Sequence, residues 1–206
     1  ALPISLLHAS VTQANDEMMF LDEDVPVVLT ATRLEQAQAD VPASVTVLHG
    51  QMLMDLGIRE LAEALRLVPG MMVAHENERN TPIVQYHGGP HSSPRNLQVL
   101  TNGRSMYKSA IASVVWSQLP VAMEDIERIE VVRGPNAASY GANAYQAVVN
   151  IITYHPSDTY GSRIRYSQGD NGVKDTYFKH GGGIGSADYR ISVFSQSWDG
   201  FKGEVP

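Results

Sequence analysis

Four constellations in the chain hold residue types that could do chemistry. His87 and His91 stand four apart, the spacing at which one helix face presents two imidazoles to zinc. Gly88, Gly89 and Pro90 lie between them, so no helix is expected and the pair reads as polar loop residues. Glu127, Arg128, Glu130 and Arg133 suggest paired carboxylates for acid–base work. On a strand, however, Arg128 and Glu130 share one face while Glu127 and Arg133 share the other. Mixed signs on both faces point instead to ion pairs with surrounding structure. Gly181-Gly182-Gly183-Ile184-Gly185 lacks the Lys-Ser/Thr and the helix of a phosphate loop. Ser139 lacks the Gly-x-Ser-x-Gly setting of a hydrolase nucleophile. With no cysteine in the chain, thiolate nucleophiles, thiolate metal sites and disulfides are excluded. The sequence therefore assigns no catalytic residue, no metal site and no cofactor.

The charged quartet falls in residues 126–153, the stretch that organises the chain. Two β-rich runs, 126–133 and 147–153, flank a connector holding Gly134, Pro135, Asn136, Gly141 and Asn143. Gly supplies positive φ, Pro fixes φ and Asn tolerates the left-handed region, so the connector predicts tight backbone paths. Upstream, Pro26 demotes the β-prone 25–31 segment to an edge or extended strand that could pair with another protein's sheet. Residues 43–48 alternate as a strand, and 51–56 read as a helical turn stopped by Gly57. Leu61, Ala64, Leu65 and Val68 form one apolar face of a helix over 59–68, ended by Pro69-Gly70. Short strands are expected at 81–86 and 97–100, the latter turned by Asn102-Gly103 in a type I′ hairpin.

Past residue 153 the character changes. Strand-like runs at 163–168, 174–180 and 189–198 are separated by turns rich in Gly, Asp and Asn, the pattern of an antiparallel meander. In the last run Tyr189, Ile191 and Val193 face one way and Arg190, Ser192, Phe194 and Gln196 the other. These runs approach the ~9–11 residues of a membrane strand, although a soluble sandwich or barrel would show the same periodicity. Three strands ending at Pro206 would leave an unpaired edge, so a complete protein is expected to continue. No apolar segment approaches the ~20 residues of a spanning helix, so crossing a membrane would require a closed barrel. The net charge of −7 and the lack of a basic run argue against nucleic acid as a partner. At the other end, residues 1–14 read as a signal-peptide remnant, with small residues Thr12 and Ala14 around a cleavage site.

Five elements in order resemble the TonB-dependent outer-membrane receptors: VVLTATR at 27–33, VPASVTVL at 41–48, LAEALRLVPGM at 61–71, LQVLTNGR at 97–104 and IERIEVVRGPNAASYGANAYQAVVNIIT at 126–153. Departures are His87-Gly88 for the family's Arg-Gly, Asn102-Gly103 for Asp-Gly, and Ala147 for Gly. The resemblance implies an α+β plug domain, a mixed small sheet with short helices, followed by the start of an antiparallel transmembrane β-barrel. The expected layout is the signal remnant at 1–14, an N-terminal extension at 15–36, the plug at 37–155 and the first barrel strands at 162–206.

The extension would carry the TonB box, with candidates Val25, Pro26, Val27, Val28, Leu29, Thr30 and Ala31, although Pro26 and Leu29 break its usual order. Glu127, Arg128, Glu130 and Arg133 would be plug–barrel ion pairs, and Tyr86, His87 and His91 would lie on a substrate-facing plug loop. The implied function is energy-coupled uptake of a scarce nutrient complex such as an iron-siderophore at the outer membrane, without enzymatic activity. The implied partners are a TonB-type inner-membrane energy transducer, the small-molecule ligand and outer-membrane lipid. A plug-only periplasmic interaction module is the alternative.

Overall fold

The protein was analysed as a computed structural model, which describes residues 27–30, 36–37, 43–76, 81–88, 96–111 and 113–199. The proposed signal remnant therefore lies outside the described residues.

The centre is a five-stranded mixed sheet. Strand β3 (Ser44–His49) pairs antiparallel with β8 (Ile126–Arg133), which pairs antiparallel with β9 (Ala147–Thr153). β9 runs parallel to β6 (Leu97–Thr101), and the two-residue β7 (Arg104–Ser105) closes the edge. The 97–101 and 147–153 runs carry no charged residue and are mostly apolar, as expected of strands buried on both faces. Two smaller pairs complete the plug: β1 (Val27–Val28) with β2 (Gln36–Ala37), and β4 (Met71–Glu76) with β5 (Thr81–Tyr86).

Alternation along the central strands divides the core. Ile129, Val131, Val149 and Ile151 face the larger cluster with Leu53, Leu65, Val84 and Trp116. Val132 and Val148 face a smaller cluster with Val28, Val45, Leu100 and Ala144. Glu130 and its register partner Asn150 point to this second face, although both are buried. A bulge between Ile126 and Arg128 returns Ile126 to the main core, so the two-residue period expected from 126 does not hold at its start.

The first helix has the expected length, and the second is shorter than its apolar period suggests. Helix α1 (Gly50–Asp55) is stopped at Gly57, whose φ is 71°. Helix α2 (Leu61–Ala64) gives way to a 3-10 turn over Leu65–Leu67, and Val68 is already extended because it precedes Pro69. A four-residue helix, α3 (Ala137–Tyr140), lies in the Gly/Asn connector, too short to produce a periodic signal. The 102–103 turn has φ of 48° and 77°, as a type I′ hairpin requires. Asn102 also accepts from the Thr153 amide and donates to its hydroxyl, both at 3.0 Å, pinning the hairpin to the end of β9.

Beyond a 3-10 turn at Pro156–Thr159, strands β10 (Gly161–Gln168), β11 (Lys174–Ile184) and β12 (Ala187–Ser197) form an antiparallel meander in unbroken register. Its polarity is the reverse of a soluble sheet. Ile164, Phe178 and Val193 stand opposite one another on the outer face and are all exposed, Ile164 to 75%. The row Arg165, Tyr177, Phe194 and the row Arg163, Lys179, Ser192 face the plug.

Two glycines test this packing. A Cβ on Gly50 would sit 1.9 Å from the Ile126 carbonyl oxygen, whereas one on Gly57 meets nothing within 4 Å. Gly50→Ala should therefore cost at least ~2–3 kcal/mol, by pushing α1 off β8. Gly57→Ala should cost only the left-handed backbone strain, about 1 kcal/mol. Thermal unfolding of the two variants checks the order.

Candidate functional site

The N-terminal segment is the first part of the site. Leu29 and Thr30 donate their backbone amides to one carboxylate oxygen of Glu130, at 3.0 and 2.7 Å. The Thr30 carbonyl accepts from the Tyr140 hydroxyl at 2.6 Å, and its side-chain oxygen accepts from Asn150 at 3.1 Å. Val28 is fully buried in the small cluster. Three of the seven candidate box residues, Val28, Leu29 and Thr30, are thus docked on the plug sheet, and Val27 pairs with Ala37 of β2. Val25, Pro26 and Ala31 lie outside the described residues.

Among the described residues, three of the charged quartet pair with one another. Arg128 bonds Glu127 at 2.5 Å and the second oxygen of Glu130 at 2.9 Å, so these three pair among themselves within the plug. The physical reason is burial: Glu130 has no exposed surface, and a carboxylate there must collect its donors from the nearest groups. Arg133 differs, because its Nε is buried with no hydrogen-bond partner among the described residues.

Among the described residues, contacts between the plug, the connecting turn and the wall involve Asp125, Arg59, Glu124 and Thr159. Asp125, just before β8, accepts on one oxygen from the Tyr177 hydroxyl at 2.8 Å and the Ser192 hydroxyl at 3.0 Å. Arg190 lies 3.5 Å from the same oxygen and also donates to the Tyr154 carbonyl at 2.7 Å. Arg59 forms a two-pronged pair with Asp175, both contacts 2.6 Å. Those hydrogen bonds hold its guanidinium above the ordinary arginine value. Glu124 meets Arg165 at 3.2 Å, and Lys179 donates to the Thr159 carbonyl at 2.8 Å. Alternation in 189–198 already separates Arg190 and Ser192 from the apolar face. Nothing in the local sequence identifies Asp125 as their partner, which is 67 residues from Ser192.

The glycine run also has a packing explanation. A Cβ at Gly181 would lie 2.4 Å from the Thr159 carbonyl oxygen, so β11 approaches the preceding turn closely there. Tyr86 and His87 touch edge to face, with ring centres 4.1 Å apart, and His87 has a φ of 56°. His87 is exposed, and His91 lies outside the described residues. Among the described residues, no group of His, Asp or Glu is arranged to hold a metal ion. Clefts run along the plug–wall junction, one lined by Arg59, Trp116, Phe194 and Trp198, another by Asp55, Glu124, Arg163 and Lys179.

Comparisons with known proteins bear on the family and the fold. The model of the TonB-dependent receptor plug domain matches residues 37–148. The vitamin B12 transporter BtuB of Vibrio vulnificus is 32% identical over 176 residues, covering 85% of this chain and 27% of that protein. BtuB of Photobacterium profundum is 31% identical, covering 85% and 28%. The chain thus spans a little over a quarter of the length of these relatives. Among solved structures, the ferripyoverdine receptor of Pseudomonas aeruginosa has a TM-score of 0.65 at 20% identity, covering 83% of this chain and 22% of that one. The alcaligin receptor FauA of Bordetella pertussis also has a TM-score of 0.65, at 18% identity, covering 84% and 29%. At these identities the two structures establish the fold alone.

Asp125→Asn should loosen the meander from the plug by roughly 3 kcal/mol, because it strands the Arg190 charge. Glu127→Gln, at a site already open to water, should stay within about 0.5 kcal/mol. Hydrogen exchange across β11 and β12 distinguishes the two, and a double-mutant cycle with Tyr177→Phe should give a coupling near 1–2 kcal/mol.

Proposed function

We propose that this chain, which belongs to the TonB-dependent receptor family, forms the plug and first wall strands of an outer-membrane receptor that takes up a scarce nutrient complex by energy coupling. The observation that carries this reading is the reversed polarity of β10–β12. Side chains such as Ile164, Ile184 and Val193 face outward in a band that water would penalise and lipid would not. Charged side chains on the other face end on the plug. A wall of this kind encloses a plug and contacts lipid on its outside. The family is of the transporter and receptor type, so the residues described here serve binding and movement.

In the mechanism, the ligand binds on the extracellular side and the plug carries that event to the 25–31 segment. A TonB-type inner-membrane protein then adds a strand to the segment and pulls, with energy from the inner membrane. Strand addition uses the backbone for affinity, which suits a segment that Pro26 keeps out of a central sheet. Arg133, with its buried Nε, is the member of the quartet suited to a partner on the barrel wall. Tyr86 and His87 are the loop residues proposed to face the substrate.

An iron chelate is one substrate class. A second, a corrinoid, is favoured by the vitamin B12 transporters that share 32% and 31% identity with this chain. Growth of a receptor-deficient strain carrying the whole receptor, supplied with ferric chelates or cobalamin as the limiting nutrient, decides between them. Failure on every nutrient complex would favour a plug-only interaction module. In the receptor, Val28→Pro should lower uptake by roughly tenfold or more through loss of strand pairing, while ligand affinity changes less than about twofold. Parallel ligand-binding and uptake assays measure both.

A further inference from the structure

We infer that Glu130 is the latch on the 27–30 segment: its carboxylate holds the Leu29 and Thr30 amides that a strand-adding partner would need. This rests on the reading of that segment as the energy-transducing handle.

Two consecutive amides converge on one oxygen of a side chain with no exposed surface. The other oxygen is taken by Arg128, which Glu127 also holds. Directly across the sheet, Asn150 takes the Thr30 hydroxyl, and Tyr140 takes its carbonyl. Strand addition requires backbone amides and carbonyls that are free to pair. While the latch is closed, the Leu29 and Thr30 amides and the Thr30 carbonyl are already in use. Partner binding and latching therefore compete for the same groups.

A charge suits this task better than an apolar contact. Closed, the carboxylate is satisfied by two amides and a guanidinium. Open, its pocket is uncovered and water replaces the amides, so neither state leaves a buried ion without partners. Gln at the same position would offer one acceptor and present donors to Arg128, which is itself a donor. Glu130→Gln should therefore favour the open state without filling or emptying the core.

The chain has no cysteine of its own, which allows site-directed labelling once the rest of the receptor is checked for cysteine. The experiment uses the whole receptor in lipid vesicles, with a nitroxide on Leu29→Cys or, as a control for the sheet, on Thr46→Cys. Glu130→Gln should raise the mobile fraction at position 29 by roughly tenfold and leave position 46 immobile. Tyr140→Phe, which removes one hydrogen bond at the edge of the site, should raise it by about twofold to fivefold. Capture of the receptor by the soluble periplasmic domain of the transducer should rise in step with the mobile fraction.

An immobile position 29 in both variants, with the sheet intact, would overturn the latch. If Glu130→Gln also mobilises position 46, Tyr140→Phe decides: a rise at 29 alone supports the latch, and no rise overturns it. Greater mobility without greater capture would keep the latch and reject the handle reading instead.

Discussion

A carboxylate removed from water must be given donors where it sits, and two carboxylates near β8 impose that requirement on the whole plug. Glu130 has no exposed surface and Asp125 very little. Left unpaired, either would cost several kcal/mol. Glu130 draws the 27–30 segment and Arg128 around it on one side of the sheet. Asp125 draws Tyr177, Ser192 and Arg190 from the wall to the start of the same strand. Strand β8 is thereby joined to the N-terminal segment near its middle and to the wall at its base. The hydrophobic core gives the sheet its stability, while these two charges determine what the sheet is attached to.

The attachments differ in kind. The wall contact combines hydroxyls and a guanidinium on a single oxygen and is reinforced by Arg59–Asp175 and Arg165–Glu124. The segment contact combines backbone amides on a carboxylate with the Tyr140 and Asn150 hydrogen bonds to Thr30 and the buried Val28. The wall contact is thus made mainly through side chains, and the segment contact largely through backbone groups.

The meander explains why so much charge lies inside. Its outward rows, such as Ile164–Phe178–Val193, leave the inward rows as the place for Arg163, Arg165, Lys179 and Arg190. Arg165 and Arg190 find acceptors on the plug, in Glu124, Asp125 and the Tyr154 carbonyl, and Lys179 finds one in the Thr159 carbonyl of the connecting turn. The junction is accordingly polar and cleft-lined, unlike the close-packed centre of the sheet.

Much of this architecture is legible in the residues alone. The strands at 126–133 and 147–153, the Asn102-Gly103 turn and the three-strand meander follow from alternation and turn chemistry, which act over a few neighbours. The same local rules fail where a neighbour distant in sequence decides. The 59–68 helix shortened because Pro69 holds Val68 extended and the last turn is a 3-10 turn, and α3 was too short to announce itself. Above all, alternation placed Arg128 with Glu130 on one face but could not identify what covers that face. The partners are Leu29 and Thr30, 101 and 100 residues away from Glu130, and no spacing rule reaches that far. The sequence by itself determined the strands, the turns and the inward and outward rows, because each depends on backbone conformation and periodicity. Only the tertiary structure decided which charges meet, because burial and distance are properties of the assembled fold.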